Sequence, residues 1–339
     1  MNQMTDITQA GQVGPPATRA ARPAWQPALA IGLLAALLIA FPLLAASAGM
    51  DYYVGVVRRI VIFALLVTSL NLVLGYGGLV ALGHAGFVGV GAYTVVIMAD
   101  AGVTSALAVW PAALAAGALA ALVIGAISLR TRGVYFIMIT LAFAQMLYYV
   151  FASLRTYGGD DGYSLYARPA LWGSGPELSE NGLYWLVLGL CAGLFWLFTR
   201  ITASRFGHAL AGTRDNEKRM HALGYPVVRL RLLAFTLAGA MAGLGGAMLA
   251  ANNNFVSPSM MHWTESATLI VMLIIGGVGR IWGGVLGAAV WLVLEEWLKL
   301  QTEYWHMPLG VLLILIALYL PRGLAGLQWP RKRNKEGGP

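Results

Sequence analysis

Residues 60–99 read IVIFALLVTSLNLVLGYGGLVALGHAGFVGVGAYTVVIMA and contain no charged side chain. A helix rises about 1.5 Å per residue and a hydrocarbon core is about 30 Å thick, so such a run suffices for two crossings. The division falls at Gly75-Tyr76-Gly77-Gly78, because clustered glycine weakens a helix. Within it, Asn71 to Tyr93 holds seven glycines (75, 77, 78, 83, 86, 89 and 91) and His84. Glycine at this density suits tight helix packing or an unwound segment lining a cavity. Candidate path-lining residues are Asn71, Gly75, Gly77, Gly78, His84, Gly86 and Tyr93. His84 has no carboxylate near it in sequence, which favours a hydrogen-bonded packing role over a proton relay.

The rest of the chain has the same character. Over 339 residues, 59% are hydrophobic, 11% are charged and mean hydropathy is +0.72. That is more apolar surface than a soluble core hides. Further charge-free runs lie at 101–129, 133–154, 181–199, 232–264, 266–279, 281–294 and 304–321, with an earlier one at 23–50. The expected fold is an all-α polytopic membrane protein with about 8–10 transmembrane helices, ten by this count, including broken or re-entrant Gly-rich segments. The two 14-residue runs are short for a span and need Glu265, Arg280, Glu295 and Glu296 near their ends. A second glycine-dense stretch, GGVGRIWGGVLG at 276–287, hints at an internal repeat.

Charge sets the expected orientation. With the N-terminus cytoplasmic and ten crossings, 17 of the 22 Lys and Arg fall inside, as the positive-inside rule requires. Arg58 and Arg59 fit least well, and would snorkel to the outer headgroups. The acids Glu265, Glu295 and Glu296 are assigned to the outer interface. The net charge of +8 is scattered between apolar spans, not gathered in one patch, which sets nucleic acid aside. The lone Cys191 lies in an apolar span and offers no disulfide, zinc or thiol chemistry. Residues 1–24 read as a disordered cytoplasmic tail, 25–325 as the transmembrane region and 326–339 as a basic cytoplasmic tail. Ala46-Ser47-Ala48 resembles a signal-peptidase site, although the run before it is longer than an ordinary signal segment. The 154–181 loop is external. Its Gly158-Gly159-Asp160-Asp161-Gly162 is better read as a tight turn than as a calcium site, since no further spaced carboxylates follow.

One polar segment between apolar spans is densely charged: ITASRFGHALAGTRDNEKRMHALGYPVVRLR, 201–231. Ser204 can cap a short helix, and Asp215 or Asn216 a second that runs to Leu223. Gly224 fits a left-handed cap, and Pro226 forbids continuation. Met220 and Leu223 would form a small apolar ridge on a knob that docks a soluble partner. The alternative is an ordinary cytoplasmic loop with solvated charges. Catalytic signatures are lacking: none of the lysines 218, 299, 332 and 335 completes GxxxxGK[ST], and HExxH and GxSxG are missing.

Five stretches in order carry a resemblance: NLVLGYGGLVALGHAGFVGVGAY, RTRGVYFIMITLAFAQM at 130–146, the GGDDG loop, RFGHALAGTRDNEKRMHALG followed by RLRLLAF, and FVSPSM…LIVMLIIGGVGRIWGGVLGAAV ending in LPRGL. Over roughly residues 50 to 325 the chain resembles permease subunits of ATP-binding-cassette importers of the branched-chain amino acid (Liv) class, M-type. The resemblance implies that the 200–231 loop is a cytoplasmic coupling element docked on a separate ATPase, with Arg205, Gly207, Arg214, Asp215, Asn216, Glu217 and Gly224 in the motif. Importers generally show Glu-Ala-Ala with Gly three residues later, whereas this chain has Lys218-Arg219-Met220. The docking face is therefore more basic than usual. The resemblance further implies a second homologous permease, two ATPases that bind ATP and Mg, an external solute-binding protein, and a bacterial inner-membrane location. It implies no cofactor in this chain and no enzymatic activity of its own. Urea, short amides or aromatic acids are alternative solutes. An ATP-independent channel or secondary transporter using His84 and the outer acids is a rival of another class, opposed by the lack of a buried charge pair. A membrane scaffold recruiting a soluble enzyme is a third.

Overall fold

The structure, a computed structural model, describes residues 36–45, 47, 49–165, 169–171, 178–319 and 323–326. Residues 1–24 of the predicted N-terminal tail, residues 327–339 of the C-terminal one, residues 46 and 48 of the cleavage-like triplet, and parts of the 154–181 loop lie outside the described residues. The chain divides by contacts into two units, Met1–Gly49 and Met50–Pro339. In the first, α1 spans Ala36–Ala45. All further elements belong to the second.

The polypeptide is helical almost throughout. In order come α2 (Asp51–Asn71), α3 (His84–Asp100), α4 (Ala106–Ser128), α5 (Val134–Ser153), α6 (Glu180–Ala203), α7 (Arg205–Asp215), α8 (Glu217–Ala222), α9 (Val227–Asn253), α10 (Trp263–Gly276), α11 (Gly283–Gln301) and α12 (His306–Tyr319). Five stretches are long and apolar enough to cross a membrane: Tyr52–Tyr76, α4, α5, α6 and α9. Shorter apolar helices are α1, α3, α10 and α12. With α11, helices occupy all ten expected positions, and the chain is an all-α, multi-pass membrane protein. Hydrocarbon cannot satisfy backbone N–H and C=O groups, which is why the spans are helical.

The core is built around α9, which packs most extensively on α4, then on α3, α11 and α2 closing the other side. Small residues permit this. A Cβ on Gly91 of α3 would collide with the Gly243 carbonyl of α9, and one on Gly246 with the Val88 carbonyl. With no water to expel between spans, association rests on close van der Waals contact, and Gly-to-backbone seams supply it. The outward faces of α5 and α6 carry Tyr135, Met138, Tyr149, Trp196 and Leu197, all exposed as lipid- or partner-facing residues should be.

The 60–99 run breaks where its glycines cluster, though not as a simple turn. Leu72–Tyr76 continues α2 as a π-helical turn, residues 77–83 are irregular, and α3 starts at His84. The second glycine-dense stretch breaks in a similar way: α10 stops at Gly276, residues 277–282 are irregular, and α11 starts at Gly283. At the far end of the core, β1 (Tyr163–Ser164) pairs antiparallel with β2 (Phe255–Val256), tying the 154–165 loop to the exit of α9. The GGDDG segment there forms a short 3₁₀ turn, with Gly158, Gly159 and Gly162 at positive φ. Among the described residues no group of three or more His, Cys, Asp or Glu gathers to hold a metal.

Two expectations about charge are corrected here. Arg58 does not snorkel outward: it is 4% exposed, with Nη1 2.9 Å from Glu180 and Nε donating to Asn252 on α9 at 2.5 Å. Glu295 does not sit free at an interface either. It is buried in α11 between Lys299 Nζ, at 2.6 Å, and Arg59 Nη2, at 3.3 Å. Each pair has one buried member, Arg58 or Glu295, and a partner that is a third or more exposed, so these are half-buried pairs. Each buried member needs its partner, because an unpaired ion at such depth costs several kcal/mol.

Candidate functional site

Two places concentrate polar chemistry, and they lie at opposite ends of α2. The first is the hairpin α7–α8. Ser204 Oγ accepts from the Gly207 amide at 3.4 Å and so caps α7, while Asn216 Oδ1 accepts from the Arg219 amide at 2.9 Å and caps α8. Both caps satisfy amides that a helix start leaves without partners. Gly207 sits against the carbonyls of Ile201 and Thr202, where a Cβ has no room, so the chain can reverse sharply after α6. Gly224 closes α8 at φ +82°, the left-handed cap read from the sequence.

The inner side of this hairpin is held from three directions. Leu210 and Thr213 are buried, and Met220 packs with Ala209 and Val227. The expected Met220–Leu223 ridge is therefore not formed: Met220 turns inward and only Leu223, 64% exposed, faces out. Glu217 is the ionic hub. Its carboxylate meets Arg132 from the α4–α5 connection at 3.0 Å and Arg231 of α9 at 3.1 Å, with His221 Nε2 at 3.8 Å. Arg231 also donates to the Thr213 carbonyl at 3.3 Å. Facing away are Arg205, Lys218, Arg219 and Arg229, all exposed, a basic surface with no ion pair to Glu217, whose carboxylate is engaged by Arg132 and Arg231.

Arg214 carries the hairpin's third attachment. Its Nη1 donates to the Gly75 carbonyl at 2.6 Å, and Nε and Nη2 both reach Asp215 Oδ1 at 3.0 Å. The Arg214 side chain lies across Gly78, φ +68°, where a Cβ would come within 2.6 Å of its Cγ. Gly279, φ +74°, is the other neighbour, its would-be Cβ 3.2 Å from Nη1. Directly behind, the fully buried Asn71 joins the two glycine-rich breaks: Nδ2 donates to the Arg280 carbonyl at 2.7 Å and Oδ1 accepts from the Gly279 amide at 2.9 Å. Three hydrogen bonds make a connection from α7 through Arg214 to the break after α2, and through Asn71 to the break between α10 and α11. Charged donors bonded to backbone carbonyls contribute about 1.5–3 kcal/mol. In the ATP-driven importer that the resemblance implies, Arg214→Met is expected to lower uptake about tenfold or more while ATP hydrolysis falls less, measured as solute moved per ATP hydrolysed. An unchanged ratio would show that the link carries no coupling.

Of the remaining sequence-derived path residues, Gly77 lies in the same break, between Gly75 and Gly78, whereas His84, Gly86 and Tyr93 have other partners. Gly77 caps the π turn through its amide to the Leu72 carbonyl at 3.1 Å. His84 is buried, with Nε2 2.8 Å from Ser69 Oγ, Gly86 lies against Leu147 and Ala144, and Tyr93 stacks on Phe151 with centroids 4.5 Å apart. The first group gathers at the hairpin and the second packs between helices.

The second polar place is a cavity of about 340 Å³, lined on α2 by Arg59, Phe63 and Leu66, on α3 by Ala85 and Val88, on α9 by Leu249 and Asn253, and by Ser259, Met260, Glu265 and Leu269. Arg59 precedes Gly75 by 16 positions on a continuous helical stretch, about 24 Å of rise, so the cavity lies far from the hairpin. None of the seven path residues read from the sequence lines it. Arg59 and Glu265 are 206 positions apart, and nothing in their local sequence couples them.

Comparison with known proteins places this geometry. Residues 52–318 match the family described as "Branched-chain amino acid transport system / permease component". The chain is 28% identical to the high-affinity branched-chain amino acid transport system permease protein LivM of Salmonella typhimurium, over 88% of this chain and 75% of the relative. It is likewise 28% identical to LivM of Escherichia coli K12, over 90% and 76% respectively. A more distant relative is the autoinducer 2 import system permease protein LsrC of Escherichia coli, 29% identical over 37% of this chain and 35% of that protein. No solved structure matches.

Proposed function

This chain belongs to the family of branched-chain amino acid transport permease components, and from that membership we propose that it forms part of the translocation path of an ATP-driven importer for branched-chain amino acids. The observation that carries the reading is the Arg214–Gly75 and Asn71–Gly279 linkage, which ties a projecting basic hairpin to both helix breaks. In this reading ATP and Mg are bound by two separate ATPase subunits, onto which α7–α8 docks through Arg205, Lys218, Arg219 and Arg229. A second, related permease completes the path, and an external binding protein delivers solute near the β1–β2 end. The membrane is the bacterial inner membrane, with both termini cytoplasmic.

The mechanism is alternating access. Nucleotide binding favours one arrangement of the ATPase pair, and it shifts the permease only in so far as that arrangement binds one permease state better. The hairpin transmits the preference because it is attached on three sides: through Met220 to α9, through Glu217 to α9 and the α4–α5 connection, and through Arg214 to the breaks. Irregular glycine-rich backbone is where helices can pivot at low cost, since no side chain must be dragged past a neighbour. Chemistry on the solute is not required of this chain, which carries no phosphate-binding GxxxxGK[ST] loop.

Affinity purification of the tagged chain from native membranes in mild detergent, with mass identification of bound proteins, tests the reading. The expected result is recovery of a second permease and of ATPases carrying GxxxxGK[ST]. Recovery of the chain alone, together with ion-gradient-driven uptake, would overturn it.

A further inference from the structure

The cavity between α2, α3, α9 and α10 has a charge of each sign in its lining. Arg59 enters from α2, its guanidinium 5.5 Å from the centroid of the Phe63 ring. One of its nitrogens meets Glu295, but Glu295 is at the same time held by Lys299 at 2.6 Å. A guanidinium offers five N–H donors, so Arg59 retains several for another acceptor. Glu265, in the first turn of α10, is different: among the described residues its carboxylate accepts no hydrogen bond and forms no ion pair, although Arg59, Glu295 and His262 lie close enough to act on it electrostatically. The remaining lining divides cleanly. Asn253 and Ser259 add small polar groups, while Leu66, Val88, Leu249 and Leu269 supply an apolar wall.

We propose that this cavity is a transit site for the α-amino-acid head group: Arg59 takes the carboxylate, Glu265 takes the ammonium, and the Leu66–Val88–Leu249–Leu269 wall takes an aliphatic side chain. The inference rests on the importer reading above and narrows it. A zwitterion needs one donor-rich cation and one anion lining the same cavity, with apolar surface beside them. This lining has those parts, and an uncharged amide such as urea would leave Glu265 without a counter-ion and the remaining Arg59 donors without a carboxylate. About 340 Å³ falls at the lower end of the range of about 300–1,000 Å³ typical of small-molecule sites. The charges sit at the cavity's polar margin, with Glu265 exposed and Arg59 about one-third exposed. Attraction there is weak enough to let the solute leave, as a transport path demands.

Cysteine protection tests this directly, because Cys191 is the sole native cysteine and is buried. In proteoliposomes holding the affinity-purified complex, Ser259→Cys is labelled with a small methanethiosulfonate reagent, with and without millimolar leucine, leucinamide or urea. Leucine is expected to slow labelling several-fold, the amide and urea are expected not to, and Glu265→Gln in the same background is expected to remove the protection. Equal protection by all three solutes, or protection that survives Glu265→Gln, overturns the head-group assignment. If the complex imports leucine yet leucine leaves labelling unchanged, the site is refuted while the importer reading stands. If the complex imports urea and not leucine, the importer's substrate reading fails, and this inference with it. Should Ser259→Cys not assemble, Met260→Cys presents a thiol on the same wall and carries the same outcomes.

Discussion

Replacing Glu217 with arginine is expected to abolish ATP-driven uptake, at least about a hundredfold loss, while leaving the chain inserted in the membrane. The substitution puts a third cation between Arg132 and Arg231, both of which now reach the same carboxylate. Two unit charges about 4 Å apart repel by about 4 kcal/mol at the effective dielectric of a protein surface. The two arms are unequal. Arg132 is 73% exposed and its arm contributes about 1 kcal/mol or less, because solvent screens it. Arg231 is 15% exposed and cannot swing into water, so the repulsion is concentrated where α7–α8 meets α9. Met220 and Val227 would be pried apart, and the hairpin would lose its fixed bearing on the transmembrane core. Glu217→Gln keeps the shape and one neutral hydrogen bond, and is expected to lose about tenfold or less. Uptake in proteoliposomes, normalised to the amount of inserted protein, reads both. Uptake at the normal rate in the arginine variant would remove Glu217 from the coupling path.

Gly246→Leu is expected to prevent folding altogether. Position 246 faces the Val88 carbonyl across the α3–α9 seam, so a side chain there cannot be absorbed by a rotamer change and must push α3 away bodily. Overpacking costs about 1–3 kcal/mol where neighbours can yield and more where they are backbone, and the seam cannot yield without opening the Gly91–Gly243 contact one turn away. Single domains hold only about 5–15 kcal/mol in total. A monodisperse peak in size exclusion of the solubilised chain should disappear. The control is Gly193→Leu on α6, an exposed position with nothing within 4 Å of the added Cβ, which should leave the peak in place. A normal peak for Gly246→Leu would mean that the α3–α9 seam is looser than its geometry states.

The two substitutions probe features of unequal legibility. Ser204, Asn216 and Gly224 declare the hairpin in advance, because caps are local: each needs only its own residue type and the amides or φ angle within three positions. Met220 could not be read this way. As one apolar residue among charges it fits an exposed ridge or a buried anchor equally well, and the choice is made by Ala209 and Val227, which belong to different helices. The resemblance places Glu217 in the coupling motif but does not name its partners, because Arg132 and Arg231 lie in separate segments. What it does is hold the hairpin to the core.

Arg58 shows the same limit from the other side. By the positive-inside rule it is an anomaly to be explained by snorkelling; in the fold it is an interior ion whose carboxylate and amide partners come from α6 and α9. Charge counting treats each residue as facing solvent, so it cannot see compensation between helices. For the same reason the seven path residues read from glycine density fall into two groups, one at the hairpin and one between packed helices. Glycine marks close approach of backbones, and that is as true of a packing seam as of a pivot.

From sequence alone, then, came the properties that depend on composition and on short-range periodicity. These are membrane class, the approximate number and position of spans, the two helix breaks, the caps of α7 and α8, and a family resemblance carried by ordered motifs. They are legible because hydrocarbon imposes helix on any long charge-free run, and because a cap is completed within one turn. Only the tertiary structure decided which distant residues share a contact. It set Asn71 across the two breaks, Arg214 on Gly75 and Glu217 between Arg132 and Arg231, and it brought Arg59 and Glu265 into the lining of one cavity. Those pairings depend on how the helices of the second unit register against one another, and that register follows from glycine seams whose partners are dozens to hundreds of residues apart in the chain.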